Sequence, residues 1–243
     1  MKINVAGLSD QGKTRNENQD CLIISKSSNL YCVSDGMGGL PYGKVTAEIV
    51  RDRLKASFML MKQAGVEINC ENIEKTIKKI SHHIQTMGNV YNGVTLYGAT
   101  LTGMCISDDK VFIMNVGDSR VYRYSNHELT QLTKDQSLVQ YWIDKGKLSE
   151  DEAKTHPMRN AILEFMGKAP EVKPFIDEIE CHDHDIYCIC SDGLFSMIDE
   201  SRIKEILENN QVLEEKCQQL VLEANDAGGK DNITVLLVET VKE

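Results

Sequence analysis

Five aspartates in this chain stand at the ends of apolar runs, and their setting repeats. Tyr31-Cys32-Val33-Ser34-Asp35-Gly36 ends in Ser-Asp-Gly, and Tyr187-Cys188-Ile189-Cys190-Ser191-Asp192-Gly193 does the same. Ile113-Met114-Asn115-Val116-Gly117-Asp118 runs into Gly-Asp, while Asp20 and Asp231 each stand just before another apolar run. Taken singly, Asp and Gly are ordinary turn residues. Together they suggest a centre, because strand ends are rigid and hold carboxylates in place. Gathered carboxylates repel one another unless a cation neutralises them. Oxygen-only ligands favour hard ions such as Mg²⁺ or Mn²⁺ over zinc. Two such ions about 4 Å apart can bind a phosphoryl group and supply a hydroxide nucleophile.

A competing motif lies near the N-terminus. Gly7-Leu8-Ser9-Asp10-Gln11-Gly12-Lys13-Thr14 fits the phosphate-cradling pattern G-x-x-x-x-G-K-[ST]. That pattern works only when it opens a helix whose N-terminus faces the phosphates. Here Arg15-Asn16-Glu17-Asn18-Gln19-Asp20 offers no apolar position for packing and leads straight into the strand-like Cys21-Leu22-Ile23-Ile24. The context fails, and with it the nucleotide-binding reading.

The elements that must position the aspartates follow from periodicity. Strands are expected at 3–8, 20–25, 29–34, 98–106, 110–116, 119–125, 176–180, 185–190 and from Ile233 to Glu239. Ile73, Ile77, Ile80, Ile84 and Met87 mark one face of a helix, and Val50, Leu54, Phe58 and Met61 mark another. Further helices are expected at 200–208 and 211–225, the latter with Val212, Cys217, Leu220, Val221 and Ala224 on one side. Short helical pieces near 136–144 and 149–154 interrupt a polar segment. Val111-Phe112-Ile113-Met114 is apolar at every position, which requires cover on both faces. Hairpin-type turns such as Ser107-Asp108-Asp109 favour antiparallel sheets, so the expectation is two stacked sheets with helices outside.

Bulk properties exclude several classes. A chain of 243 residues without a Pro/Gly/Ser-rich linker is expected to be one domain. A net charge of −10 argues against nucleic-acid binding, which needs a basic stripe. The apolar runs are too short to cross a bilayer. Met1-Lys2-Ile3-Asn4-Val5-Ala6 lacks the core of a signal peptide, so a cytoplasmic location is the expectation. The eight cysteines include no Cys-x-x-Cys pair and are expected to be reduced and mostly buried. His182-Asp183-His184-Asp185 could suggest a transition metal, but in a polar turn before a strand it reads as a solvated loop. His82 and His83 fall off their helix's apolar face and read as surface.

The motifs, taken in order, resemble the metal-dependent type 2C (PPM) serine/threonine protein phosphatases in their compact bacterial form. The resemblance rests on Gly12-Lys13-Thr14-Arg15 with Asn18-Gln19-Asp20, on Asp35-Gly36-Met37-Gly38-Gly39 and on Gly98-Ala99-Thr100. It continues through Gly117-Asp118-Ser119-Arg120, Ser191-Asp192-Gly193-Leu194 and Asp231-Asn232-Ile233-Thr234, so it spans the chain. It implies an α+β fold, a four-layer α-β-β-α sandwich of two antiparallel sheets flanked by helices, forming a single phosphatase domain over 1–243.

The resemblance also implies roles. Asp35 would bridge two Mn²⁺ or Mg²⁺ ions, with the Gly36 carbonyl on one of them and Asp192 and Asp231 on the other. Asp118 would join Asp192 at a third ion, Asp20 would orient water in the site, and Arg15 would hold substrate phosphate. A metal-bridging hydroxide would hydrolyse phosphoserine and phosphothreonine in proteins, reversing a cognate Ser/Thr kinase, and a monomer is expected. A flap at about Gly146 to Gly167 would lie beside the cleft. Gln19, Met37 and Gln136 depart from common family patterns, which have Glu, His (in animal members) and His there. The rival reading, a catalytically silent regulatory relative, would be expected to have lost at least one aspartate.

Overall fold

The computed structural model describes residues 1–88 and 96–242. Two five-stranded antiparallel sheets form its centre. One runs in the order β1 (Lys2–Asp10), β10 (Ile233–Val241), β9 (Ile186–Cys190), β6 (Arg120–Ser125), β7 (Glu128–Gln131). The other runs β2 (Asp20–Ser25), β3 (Leu30–Asp35), β4 (Leu101–Ser107), β5 (Lys110–Val116), β8 (Phe175–Glu180). Helices α1 (Gly43–Gln63) and α2 (Cys70–Gly88) cover the second sheet, and α6 (Glu200–Glu208) and α7 (Leu213–Asp226) cover the first. The expected α-β-β-α sandwich is the observed one.

The two-residue period of each strand divides the core into three layers. Tyr31, Val33, Val111, Ile113, Tyr187, Ile189, Leu236 and Val238 fill the space between the sheets. Their neighbours point the other way: Leu30, Cys32, Phe112 and Met114 meet α1 and α2. Cys188, Cys190, Val235 and Leu237 meet α6 and α7. This is why these strands are apolar at every position. All eight cysteines are free; seven are buried and Cys70 is half-buried.

Several details differ from expectation. The strand expected from residue 98 begins at Leu101, because Ala99 instead forms single bridges to Gly36 and Met166. Val212 is 59 % exposed, standing before α7 as its cap rather than on its buried face. His182, Asp183 and His184 are exposed, whereas Asp185 is fully buried and accepts a bond from the Tyr187 hydroxyl at 3.3 Å. Between β7 and β8 lie two short helices, α3 (Leu138–Asp144) and α4 (Glu150–Thr155), the second closed by a Ser149–Glu152 capping box.

Candidate metal centre

Four connections cross from one sheet to the other, and two of them carry predicted site residues. Residues 11–19 lead from β1 to β2 and hold Arg15; residues 117–119 lead from β5 to β6 and hold Asp118. Asp20 opens β2 directly opposite Asp35, the last residue of β3. Asp192 begins α5 (Asp192–Phe195), a single turn after β9, and Asp231 precedes β10. The aspartates thus collect where the same ends of the two sheets meet.

Short-range chemistry locks these positions. The Ser191 hydroxyl accepts the Thr234 N–H at 3.0 Å and donates to Asp20 Oδ2 at 2.8 Å, tying the first sheet to the second. Asn232 accepts the Gln19 N–H at 2.9 Å and donates to the carbonyls of Gln11 and Glu17 at 2.8 and 2.9 Å. It therefore stitches the 11–19 connection to the residue beside Asp231. The Asp35 N–H donates to Thr100 Oγ1, and its carbonyl accepts the Thr100 N–H at 2.8 Å. Gly193 is packed so tightly that a Cβ there would collide with the Asn232 carbonyl oxygen. The 11–19 connection contains turns and no helix, which removes the nucleotide-loop reading.

Electrostatics mark the cluster as incomplete without a cation. Burial first, then Asp20, Asp192, Asp118 and Asp231, push the Asp35 carboxyl well above its ordinary range. Burial, then Asp118, Asp231 and Asp20, do the same to Asp192. Asp118 is raised to about 7 by burial and by Asp135, and Asp20 to about 6 by burial against the bonds it accepts. Asp20 Oδ1 and Asp192 Oδ1 are buried without a hydrogen-bond partner. Such orphaned carboxylate oxygens are costly unless a cation completes them. The donor set is all oxygen, as Mg²⁺ or Mn²⁺ requires. No three Asp, Glu, His or Cys side chains among the described residues are gathered tightly enough to enclose an ion alone.

Arg15 is the cation inside the cluster. Its Nη2 donates to Asp231 Oδ2 at 2.6 Å, and that bond raises its pKa. With Asp118, Asp192, Asp231 and Lys230 it lines a cleft of about 1180 Å³, far larger than a phosphate group. The opposite wall comes from α3, α4 and the residues after them, including Ile143, Lys154 and Arg159. Gly36 donates its N–H to the Gln19 carbonyl at 3.2 Å, and the Gln19 side chain turns to Glu17.

Arg120, which the residue pattern gave no reason to single out, is the other organiser. It forms a two-pronged bond with Asp135 at 2.9 and 2.8 Å, donates to the Tyr122 hydroxyl at 2.8 Å and lies 3.9 Å over the Phe195 ring. Ser191, Asn232 and Asp135 were equally hidden as organisers, since their partners lie far away in sequence.

The model of the family described as protein phosphatase 2C matches residues 12–233, which contain all five aspartates. The chain belongs to that family. It is 34 % identical over 237 residues to the serine/threonine phosphatase stp of Listeria monocytogenes, covering 95 % of this chain and 93 % of that one. The crystal structure of the Mycobacterium tuberculosis serine/threonine phosphatase PstP/Ppp superposes with a TM-score of 0.88 at 28 % identity, covering 99 % of each chain. A structure of the PstP catalytic domain in complex with two manganese ions gives a TM-score of 0.84 at 27 % identity, again over 99 % of each chain. The fold and the family of this phosphatase 2C protein therefore agree with its motifs.

Proposed function

We propose that this chain is a metal-dependent protein phosphatase that hydrolyses phosphoserine and phosphothreonine in proteins. The observation that carries the reading is the convergence of five carboxylates, two with buried orphaned oxygens, beside Arg15 in an open cleft. Family membership and the names of the relatives support it. Asp35, the Gly36 carbonyl, Asp192 and Asp231 would hold two ions, and Asp118 with Asp192 would hold a third. When bound, Mn²⁺ or Mg²⁺ neutralises phosphoryl charge and makes a coordinated water nucleophilic at neutral pH. Arg15 can turn from Asp231 toward phosphate oxygens and orient them for in-line attack. Asp20 accepts a bond from Ser191 through one oxygen, leaving the other to orient water. No side chain is needed as a covalent nucleophile.

In this reading, residues 1–243 act as one domain, and the segment 146–167 is a flap that controls access for protein substrates. The enzyme is a cytoplasmic monomer that opposes a Ser/Thr kinase in signalling. No helix among the described residues is long and apolar enough to cross a membrane. The test is phosphate release from a phosphothreonine peptide in Mn²⁺. EDTA and Asp35→Asn are each expected to abolish it; activity surviving either one overturns the reading.

A further inference from the structure

The structure gives Gln136 a specific setting. Its backbone N–H donates to the Gly117 carbonyl at 2.9 Å, and its side-chain Oε1 accepts the Gly117 N–H at 2.9 Å. This reciprocal pair grips the residue immediately before Asp118. Gly117 has φ +114°, a conformation other residues rarely adopt, so the grip holds a bend that places Asp118. The other end of the carboxamide points away: Nε2 donates to the Lys173 carbonyl at 3.0 Å. The Gln136 carbonyl accepts the Leu163 N–H at 2.7 Å.

One residue therefore joins three places. These are the turn carrying Asp118, the middle of the cleft-lining segment at Leu163, and the end of that segment at Lys173. The two bonds also fix the orientation of the carboxamide, since the Gly117 N–H can only donate and the Lys173 carbonyl can only accept. Two adjacent contacts brace the same joint: Asn115 Nδ2 donates to the Lys134 carbonyl at 3.2 Å, and Arg120 holds Asp135.

We propose that Gln136 is a positioning residue that couples the segment 138–174 to Asp118, so that the cation affinity of Asp118 and the seating of that segment depend on each other. The proposal rests on the reading of Asp118 as ligand to a third ion. If an ion at Asp118 favours one placement of residues 117–119, linkage requires that the same placement of the segment favours the ion. A methionine at position 136 preserves length and removes both side-chain bonds.

The experiment is Mn²⁺ calorimetry on the whole protein and its Gln136→Met variant, with hydrogen exchange over 138–174 with and without Mn²⁺. The variant is expected to bind its weakest Mn²⁺ about five- to a hundredfold less tightly, the worth of two hydrogen bonds, while the tighter ions are unaffected. Slowing of exchange in 138–174 by Mn²⁺ is expected in the parent and lost in the variant. Gln136→His at pH 8 keeps one acceptor and one donor and is expected to rescue both readouts; it also carries the test if the methionine variant does not fold. A merely structural role would lower stability without separating the weakest ion from the others. A variant that binds its weakest ion as the parent does, with the segment still protected, overturns the coupling. A parent that binds only two ions overturns the reading of Asp118 itself, a distinguishable result.

Discussion

Replacing Asp118 by Asn should stabilise the metal-free protein while crippling the metal-bound one. Asp118 is half-buried beside Asp135 and the other aspartates, and its carboxyl is raised from 3.8 to about 7. At about 1.4 kcal/mol per pH unit, that displacement bounds the cost of ionising Asp118 in the folded state at roughly 4 kcal/mol. Solvent reaching the half-buried group brings the expected gain to about 1–3 kcal/mol. The sign follows from proton counting. Below about pH 3 both states hold the proton and Asp118 contributes nothing. Between about 4 and 7 the unfolded chain releases it while the folded chain keeps it, so stability falls as pH rises. Above about 7 the full penalty applies. Urea unfolding in EDTA should therefore show Asp118→Asn more stable than the parent at pH 8 and nearly equal to it at pH 3. In saturating Mn²⁺ the order should reverse, because ligand binding stabilises the parent more. A variant less stable than the parent at pH 8 in EDTA, or a gain independent of pH, would refute the electrostatic account.

Three further outcomes are expected. Arg15→Ala should cut kcat/KM toward a phosphothreonine peptide about ten- to a hundredfold, the worth of charge-assisted bonds to phosphate; unchanged constants would remove Arg15 from the phosphate site. Gly193→Ala should cost more than about 2 kcal/mol in chemical denaturation and weaken Mn²⁺ binding, since backbone at Asn232 must shift between Asp192 and Asp231. Lys216, buried between α6 and α7, donates its Nζ to the Leu207 carbonyl at 2.6 Å near the end of α6. Lys216→Ala should lower unfolding free energy by about 1–3 kcal/mol with phosphatase activity per folded molecule unchanged.

What could be read from residues alone was what local patterns encode. Val111 to Met114, apolar throughout, announced a strand covered on both faces, and the isoleucine stripe of α2 announced a helix packed on a sheet. The aspartates were legible because each follows or precedes such a run. β7 was missed because Glu128-Leu129-Thr130-Gln131 is short and half polar at a sheet edge. The turn α5 is too short to show a period. Asp185 reads as part of a polar loop, yet in the fold it is fully buried and accepts a bond from Tyr187, a partner the local pattern does not announce. The links that hold the centre together, Ser191 to Asp20 and Arg120 to Asp135, join residues far apart in sequence and leave no local signature.

The pairing of β1 with β10 bears on how the molecule is made. β1 lies at a sheet edge, and its neighbour is the last strand, with Lys2 opposite Val241. During synthesis the first strand stays without its neighbour until β10 has left the ribosome. Asp231 arrives with the same late segment. The carboxylate cluster is therefore completed only with β10, and a nascent chain that stops short of β10 carries β1 as an unpaired strand, an edge open to pairing with other chains.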